Sequence, residues 1–178
     1  MYAVSETLRG HLLIAAPSLF DYFRRTVVLV IEHTAEGAMG VVLNRESETR
    51  VADAVPQLAS FADEEDLVRL GGPVAPQSVV ALGEFDDLAE AGTQVLGRLG
   101  TLDPESVNES LRRLRVYAGY AGWGAGQLDG ELEQEAWLVA PAEEADPFSA
   151  DDIWASALER RGGAYRLLAT MPPDPSQN

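Results

Sequence analysis

The run RTVVLVIE at residues 25–32 constrains the fold more than any other stretch of the 178-residue chain. Its apolar residues follow one another without polar alternation, and most of them are β-branched. Such a run is typical of a central strand that is buried on both faces. Residues 34–37 form a turn that ends in glycine, and residues 39–43 return as a partner strand. The sequence therefore predicts a buried hairpin.

The rest of the chain predicts short elements. Further strands are expected at residues 12–16, 67–70, 77–82, 94–99 and 136–140, and another runs through Val116 and Ala118. Short helices are expected at residues 52–60 and 127–134, and a helical turn at residues 86–91. Strands outnumber helices, and no long βαβ alternation is present. We therefore expect an α+β fold: a single domain over residues 1–178, with a mixed, mainly antiparallel sheet and helices packed on it. Residues 171–178 form a proline-rich tail.

A further helix is predicted to begin at Asp103 and Pro104. An acidic N-cap followed by proline is a common helix start. Val107, Leu111 and Leu114 then follow at helical spacing. This pattern predicts a helix that ends before the strand at Val116.

The last helix has the clearest signals. We expect Ser149 to cap it, with Asp151 and Asp152 in the first turn and Gly162 at its end. One face is apolar, and the C-terminal turn is basic, which suits the helix dipole. These positions are Ile153, Trp154, Ala157 and Leu158 on the face, and Arg160 and Arg161 in the last turn.

Composition excludes several kinds of chemistry. The formal charge is −16, from 29 acidic and 13 basic residues, so the overall field repels nucleic acid and anionic membranes. The sequence contains neither cysteine nor lysine. This excludes disulfides, thiolate nucleophiles, Schiff bases and the lysine of a phosphate-binding loop. No stretch is typical of a signal peptide or a membrane span, and we expect a cytoplasmic protein.

Residues 117–130, YAGYAGWGAGQLDG, suggest a nucleotide-binding loop, but the spacing is wrong. A dinucleotide fingerprint needs G-x-G-x-x-G, whereas the third glycine here, Gly130, comes one residue late. The following acidic residues oppose a bound phosphate. We interpret the segment as a turn in which Trp123 fills an apolar gap and its indole N–H finds one acceptor. Gln127 is expected to satisfy backbone groups of the loop.

Four sequence motifs follow one another along the chain: GHLLIAAP at 10–17, TVVLVIEHTAEGAMGVVLNR at 26–45, GGPV at 71–74 and GYAGWGAGQL at 119–128. With Trp137 and Trp154, they resemble the AlgH/YqgE family of small bacterial proteins. The resemblance implies a mixed sheet with a small barrel-like part, surrounded by helices. The family has no established activity, and one member is named as a regulator of alginate synthesis.

The sequence leaves two main functions open. The first is a non-enzymatic binding or regulatory module with an unknown protein or small-molecule partner. Its surface would be formed by polar, aromatic and glycine residues of the motifs: Thr26, His33, Asn44, Arg45, Gly72, Tyr120, Trp123 and Gln127. The strand ends at Asn44–Arg45 and Gly71–Gly72 suit a small anion or peptide pocket, although such residues are also ordinary turn formers.

The second is a hydrolase-like enzyme with His33 as general base, in which Asn44 or the Gly72 amide stabilises a developing anion. Against it, Glu32 points to the opposite face of the strand, and a hydrogen bond from His33 to the hairpin turn is the favoured interpretation of this residue. No G-x-S-x-G or HExxH pattern is present. We therefore expect neither a metal nor a cofactor.

Overall fold

A computed structural model describes residues 7–19, 21–106, 108–149 and 152–170. Its strands are β1 (His11–Ala15), β2 (Val27–Thr34), β3 (Gly37–Val42), β4 (Glu46–Arg50), β5 (Leu67–Leu70), β6 (Val74–Phe85), β7 (Gln94–Leu96), β8 (Leu99–Thr101), β9 (Leu111–Gly124) and β10 (Trp137–Pro141). Its α-helices are α1 (Val51–Ala54), α2 (Gln127–Glu133), α3 (Ile153–Arg161) and α4 (Tyr165–Leu168). Short 3-10 turns lie at Pro56–Leu58, Leu88–Glu90 and Asp146–Phe148.

The strands form one large sheet in the order β10-β1-β2-β3-β9-β6-β8-β7, with β4 and β5 attached beside β9. Among the described residues, β5 and β9 are the one parallel pair, and every other pair is antiparallel. The mixed, mainly antiparallel sheet is therefore confirmed. The sheet as a whole does not close in the described chain, because its outer strands, β10 and β7, do not pair with each other.

The buried hairpin predicted from residues 25–43 is confirmed as β2 and β3. Val27, Leu29 and Ile31 pack into one apolar cluster, whereas Val28 and Val30 pack into another on the opposite face. All five are buried. Because residues 27–31 are buried on both faces of β2, this part of the strand needs no polar alternation.

Three apolar clusters surround the sheet. The first lies between the sheet and α3 and includes Leu29, Trp154 and Leu158. The second lies on the other face around the indoles of Trp123 and Trp137. The third packs α1 against the β6–β9 half of the sheet. The two faces of β9 consequently differ: Leu114 and Val116 point to the third cluster, and Tyr117 belongs to the first.

The helix predicted from Asp103 to Leu114 is wrong. Residues 111–124 form β9, and the Asp103 carboxylate instead accepts hydrogen bonds from Glu105 N and Ser106 Oγ within a turn. A register shift opposite Phe85 lets Leu111 and Leu114 pack on the same side of β9 despite their spacing of three. A β-bulge therefore produced a helix-like spacing in the sequence. Val107 lies outside the described residues.

Several smaller predictions also need correction. Asp152 caps α3 by accepting a hydrogen bond from Ala155 N, so Ser149 is not the cap. Residues 94–99 contain a turn at Gly97 between β7 and β8 rather than one strand. Neither β4 nor α4 was expected from the sequence. Asp151 and the tail at 171–178 lie outside the described residues.

Candidate functional site

The motif residues lie at two ends of the hairpin. Ala38 pairs with both His33 and Trp123, which places these residues at the turn end. Asn44 hydrogen-bonds the N–H of Val27 at the other end, with Oδ1 as the acceptor. Val27 and His33 are six positions apart on β2, or about 20 Å at roughly 3.3 Å per residue. One small substrate cannot reach both His33 and Asn44, so the proposed pairing of these two residues in a hydrolase site is wrong.

His33 anchors the segment before β1. Its Nδ1 accepts a hydrogen bond from Leu8 N at 2.9 Å, and its carbonyl accepts one from Thr7 Oγ1. The expected partner was the hairpin turn, whereas the observed one comes from the N-terminal segment. A ring nitrogen that accepts a backbone hydrogen bond is not available as a general base, and the histidine has a structural role here.

Trp123 fills an apolar gap, as the sequence predicts, but it lies in β9, and the predicted turn is confined to residues 125–126 before α2. Trp123 is 7% exposed and its Nε1 donates to Glu131 Oε1 at 3.0 Å. Trp137 Nε1 donates to the same oxygen at 2.9 Å, and Gln127 Nε2 donates to Oε2. Gln127 also accepts the Gly124 N–H, which satisfies the loop backbone. The Gly124 N–H and the polar side-chain atoms of Gln127 are therefore engaged by protein groups.

Two further motif residues are buried in the scaffold. Thr26 is fully buried, and its hydroxyl donates to Phe23 O at 2.7 Å. Gly72 is buried against the Tyr120 backbone, where an added Cβ would clash. The expected exposed Gly72 amide is therefore not present. Tyr120 itself is half-buried and lies opposite Val74.

Asn44 and Arg45 join the end of the hairpin to the segment before β2. Asn44 Nδ2 donates to Arg25 O at 2.8 Å, and Arg45 Nη2 donates to Arg24 O at 3.3 Å. The Arg45 guanidinium lies 4.7 Å from the Tyr22 ring centroid. These contacts fix the position of Asn44 at the mouth of a cleft.

We call this the strand-end cleft; it encloses about 520 Å³. It lies between the end of β3, the start of β4, the loop before β5, β9 and the start of α3. Its uncharged wall comes from Leu43, Asn44, Leu67, Ser149 and Ile153; its charged wall comes from Glu46, Glu65, Asp66, Arg69, Arg115, Asp146 and Asp152. Asn44 is the one residue of the eight predicted site positions that lines it.

The two arginines of the cleft differ in their hydrogen bonding. Arg115 Nε donates to Pro147 O and Nη2 to Phe148 O, and its guanidinium lies 3.8 Å from Asp66. Burial lowers the pKa of Arg115, and the nearby Arg69 adds to that effect. Arg69 Nη1 donates to Leu43 O at 3.0 Å, while its buried Nε has no hydrogen-bond partner among the described residues.

Tyr117 lies beside both arginines. It pairs with Arg69 across β5 and β9, and it is two positions from Arg115 on β9, so the three side chains share a face. Tyr117 is fully buried, and its hydroxyl has no partner in the described part of the chain. Burial raises the pKa of Tyr117 well above its usual value, and the charges of Arg69 and Arg115 oppose this only in part. The phenol is therefore a protonated donor at neutral pH.

Most carboxylates of the cleft already have partners. Asp146 is buried and forms an ion pair with Arg160 at 3.1 Å. Burial acts to lower the pKa of Arg160, but the bonds and charges of Asp146 and Glu143 raise it overall. Asp152 caps α3. Glu46 and Glu65 remain exposed at the rim.

Sequence reasoning missed Arg69, Arg115 and Tyr117 as candidate site residues. The sequence did contain one signal for two of them. Arg115 and Tyr117 alternate with Leu114 and Val116, and this strand pattern places Arg115 and Tyr117 on the same face. The described residues contain no group of three or more metal-binding side chains. None of their helices is long and apolar enough to span a membrane.

Comparison with known proteins decides the family. The model of the AlgH-like family matches residues 12–166. The chain belongs to the AlgH-like family. A UPF0301 protein of Streptomyces coelicolor is 41% identical over 97% of this chain and 96% of the relative, and one of Nocardia farcinica is 40% identical over 95% and 85%.

Two solved structures have the same fold. Protein DIP2367 of Corynebacterium diphtheriae matches with a TM-score of 0.84 and 31% identity, over 95% of each chain. The AlgH protein of Pseudomonas aeruginosa matches with a TM-score of 0.70 and 29% identity, over 97% of this chain and 98% of that one. The names of these relatives specify a family and no reaction.

Proposed function

We propose that this AlgH-like protein is a non-enzymatic binding module whose small-molecule ligand occupies the strand-end cleft. The observation that carries the proposal is the cleft itself. Its volume of about 520 Å³ falls in the usual range for small-molecule sites, roughly 300–1,000 Å³. Polar groups at its base have fixed positions, because Arg69 and Arg115 are held by backbone carbonyls.

Binding is favoured over catalysis by the chemistry of the cleft wall. A hydrolytic site needs a nucleophile or an activated water beside a base. Neither described histidine lines the cleft, and Ser149 is its one hydroxyl residue. The carboxylates of Asp146 and Asp152 are engaged in an ion pair and a helix cap. The lining therefore suits recognition of a ligand better than its conversion.

A regulatory role would use the loop that precedes β5. This loop carries Asp66, whose carboxylate accepts the Asp63 N–H and lies near Arg115. It also carries Phe61, which is exposed. A ligand that displaces Asp66 from Arg115 would alter the conformation of this loop. The backbone amide hydrogen-exchange rates of residues 61–66 would then change on binding.

A thermal-shift screen over a metabolite library tests the proposal. A ligand at about 100 times its Kd adds about 2.7 kcal/mol of stability, or roughly 5–10 °C for a chain of this size. Glu46→Trp places a large ring at the rim and should abolish the shift. Glu48→Trp, on the same strand but outside the cleft, should retain it. The proposal fails if no compound raises the Tm, or if every active compound stabilises Glu46→Trp equally.

A further inference from the structure

Two unpartnered hydrogen-bond donors lie beside the strand-end cleft, one on Arg69, which lines it, and one on Tyr117, its neighbour across β5 and β9. Arg69 Nε and the Tyr117 hydroxyl are both buried, and neither has a partner among the described residues. Buried polar groups in folded proteins are nearly always hydrogen-bonded. The two residues pair across β5 and β9, where neighbouring strands lie about 4.8 Å apart. Both groups therefore need an acceptor in the same small region.

The charge of this region selects the kind of acceptor. Arg69 and Arg115 bring two positive charges to one face of the sheet, in a chain whose formal charge is −16. Five carboxylates of the described residues also line the cleft, but Asp146 and Asp152 are engaged by Arg160 and the α3 cap, and Asp66 approaches Arg115 only to 3.8 Å. Glu46 lies opposite Arg69 in the β4–β5 pair but is exposed. An acceptor with a negative charge gains more here than a neutral one, because hydrogen bonds to charged groups are stronger.

We infer that the ligand of the strand-end cleft carries an oxyanion, a carboxylate or a phosphate, which accepts hydrogen bonds from Arg69 Nε and the Tyr117 hydroxyl. This inference rests on the proposed binding function. Arg115 adds its charge from two positions along β9. The remainder of the ligand lies toward Asn44 and Ile153 at the mouth of the cleft.

Asp66 competes with this oxyanion. Its carboxylate occupies the side of Arg115 that faces the cleft, and its loop forms part of the wall. Replacing Asp66 by asparagine removes a negative charge and keeps the side-chain volume. The variant should therefore bind an oxyanion more tightly, which a purely structural role of Asp66 would not produce.

Nitrogen–proton correlation NMR on the full chain tests the inference, because it observes arginine Nε–H groups directly. The probes are sodium phosphate and sodium acetate, at constant ionic strength set with sodium chloride. We expect a saturable shift of the Arg69 Nε–H signal, which is assigned by its loss in Arg69→Gln. A Kd of 1 mM would give about nine-tenths occupancy at about 10 mM. Saturation by phosphate alone or by acetate alone identifies the oxyanion, and either result supports the inference.

The variants provide the quantitative test. Arg69→Gln should weaken binding by about tenfold or more, and Tyr117→Phe by about two- to tenfold, from the usual strengths of charged and neutral hydrogen bonds. Asp66→Asn should tighten binding at least about twofold. Arg50→Gln, which changes an exposed arginine outside the cleft, should leave the Kd unchanged. Tyr117→Phe removes only one oxygen atom, so it keeps the test informative if Arg69→Gln does not fold.

The inference is overturned if neither probe gives a saturable shift, which would mean that water alone satisfies the two donors. It is also overturned if Tyr117→Phe and Arg50→Gln bind a probe equally. Failure here is separable from failure of the proposed function. Suppose that a neutral metabolite does not bind Glu46→Trp but binds Arg69→Gln as it binds the unchanged protein. That result would support the proposed binding function and contradict the inference that the ligand carries an oxyanion.

Discussion

The Glu131 carboxylate accepts hydrogen bonds from three donors, and its replacement tests whether the segment around Trp123 has a structural role. Oε1 accepts both indole N–H groups, from Trp123 and Trp137, and Oε2 accepts Gln127 Nε2. In Glu131→Gln, the new amide oxygen can still accept the hydrogen bonds from the two indole N–H groups. Its NH₂ group then faces the NH₂ group of Gln127, and two donors cannot hydrogen-bond each other. Gln127 cannot rotate to accept it without losing the Gly124 N–H. The neutral variant therefore cannot satisfy the whole network.

The expected loss follows from hydrogen-bond strengths. Bonds to charged groups contribute about 1.5–3 kcal/mol and neutral ones about 0.5–1.5 kcal/mol, so each indole bond weakens by about 1 kcal/mol. The exposed Gln127 bond adds less than about 1 kcal/mol. Glu131→Gln should lower the free energy of unfolding by about 2–3 kcal/mol. For 178 residues, that is a Tm decrease of roughly 5–8 °C.

Urea unfolding followed by circular dichroism measures the loss. Glu133→Gln is the matched control, because Glu133 is exposed on the same helix, and it should change stability by less than about 0.5 kcal/mol. Trp123→Phe removes one of the donors, so its effect should not add fully to that of Glu131→Gln. Equal stabilities of Glu131→Gln and Glu133→Gln would refute the reasoning.

Three further predictions concern the cleft and its supports. Unfolded tyrosine ionises near pH 10 whereas buried Tyr117 retains its proton, so stability should fall by about 1.4 kcal/mol per pH unit above that pH. Tyr117→Phe should remove this slope in urea unfolding at alkaline pH; an unchanged slope would refute the assignment. Asn44→Ala should lower stability by about 2–4 kcal/mol, because Val27 N–H and Arg25 C=O lose their partner. A loss below about 1 kcal/mol in denaturant unfolding would contradict this. Asp152→Ala should lower the Tm through a cap loss of about 1 kcal/mol, and Asp152→Asn by less; equal losses would contradict the cap.

Net charge gave a useful but incomplete indication of ligand preference. A formal charge of −16 disfavours anions at long range. The inferred oxyanion site depends instead on two local groups, Arg69 Nε and the Tyr117 hydroxyl, which are buried. The composition could not predict this, because a summed charge does not say which groups are removed from water.

The sequence determined those features whose physical cause is local. The run at 25–32 is buried on both faces wherever it folds into a sheet, and it formed β2. Trp123 among closely spaced glycines predicted a packed indole with one acceptor, and Glu131 is that acceptor. The apolar face of α3 and its end at Gly162 also follow from residues within one helix.

Tertiary structure alone decided the features that depend on strand register. The bulge in β9 placed Leu111 and Leu114 on one face, and without it their spacing indicates a helix. The length of β2 separated His33 from Asn44, although both belong to the same motif segment of 20 residues at 26–45. The pairing of β5 with β9 brought Arg69 beside Tyr117 across 48 positions of sequence, from 69 to 117. Long-range pairing selects which distant residues meet, and local sequence patterns do not contain that information.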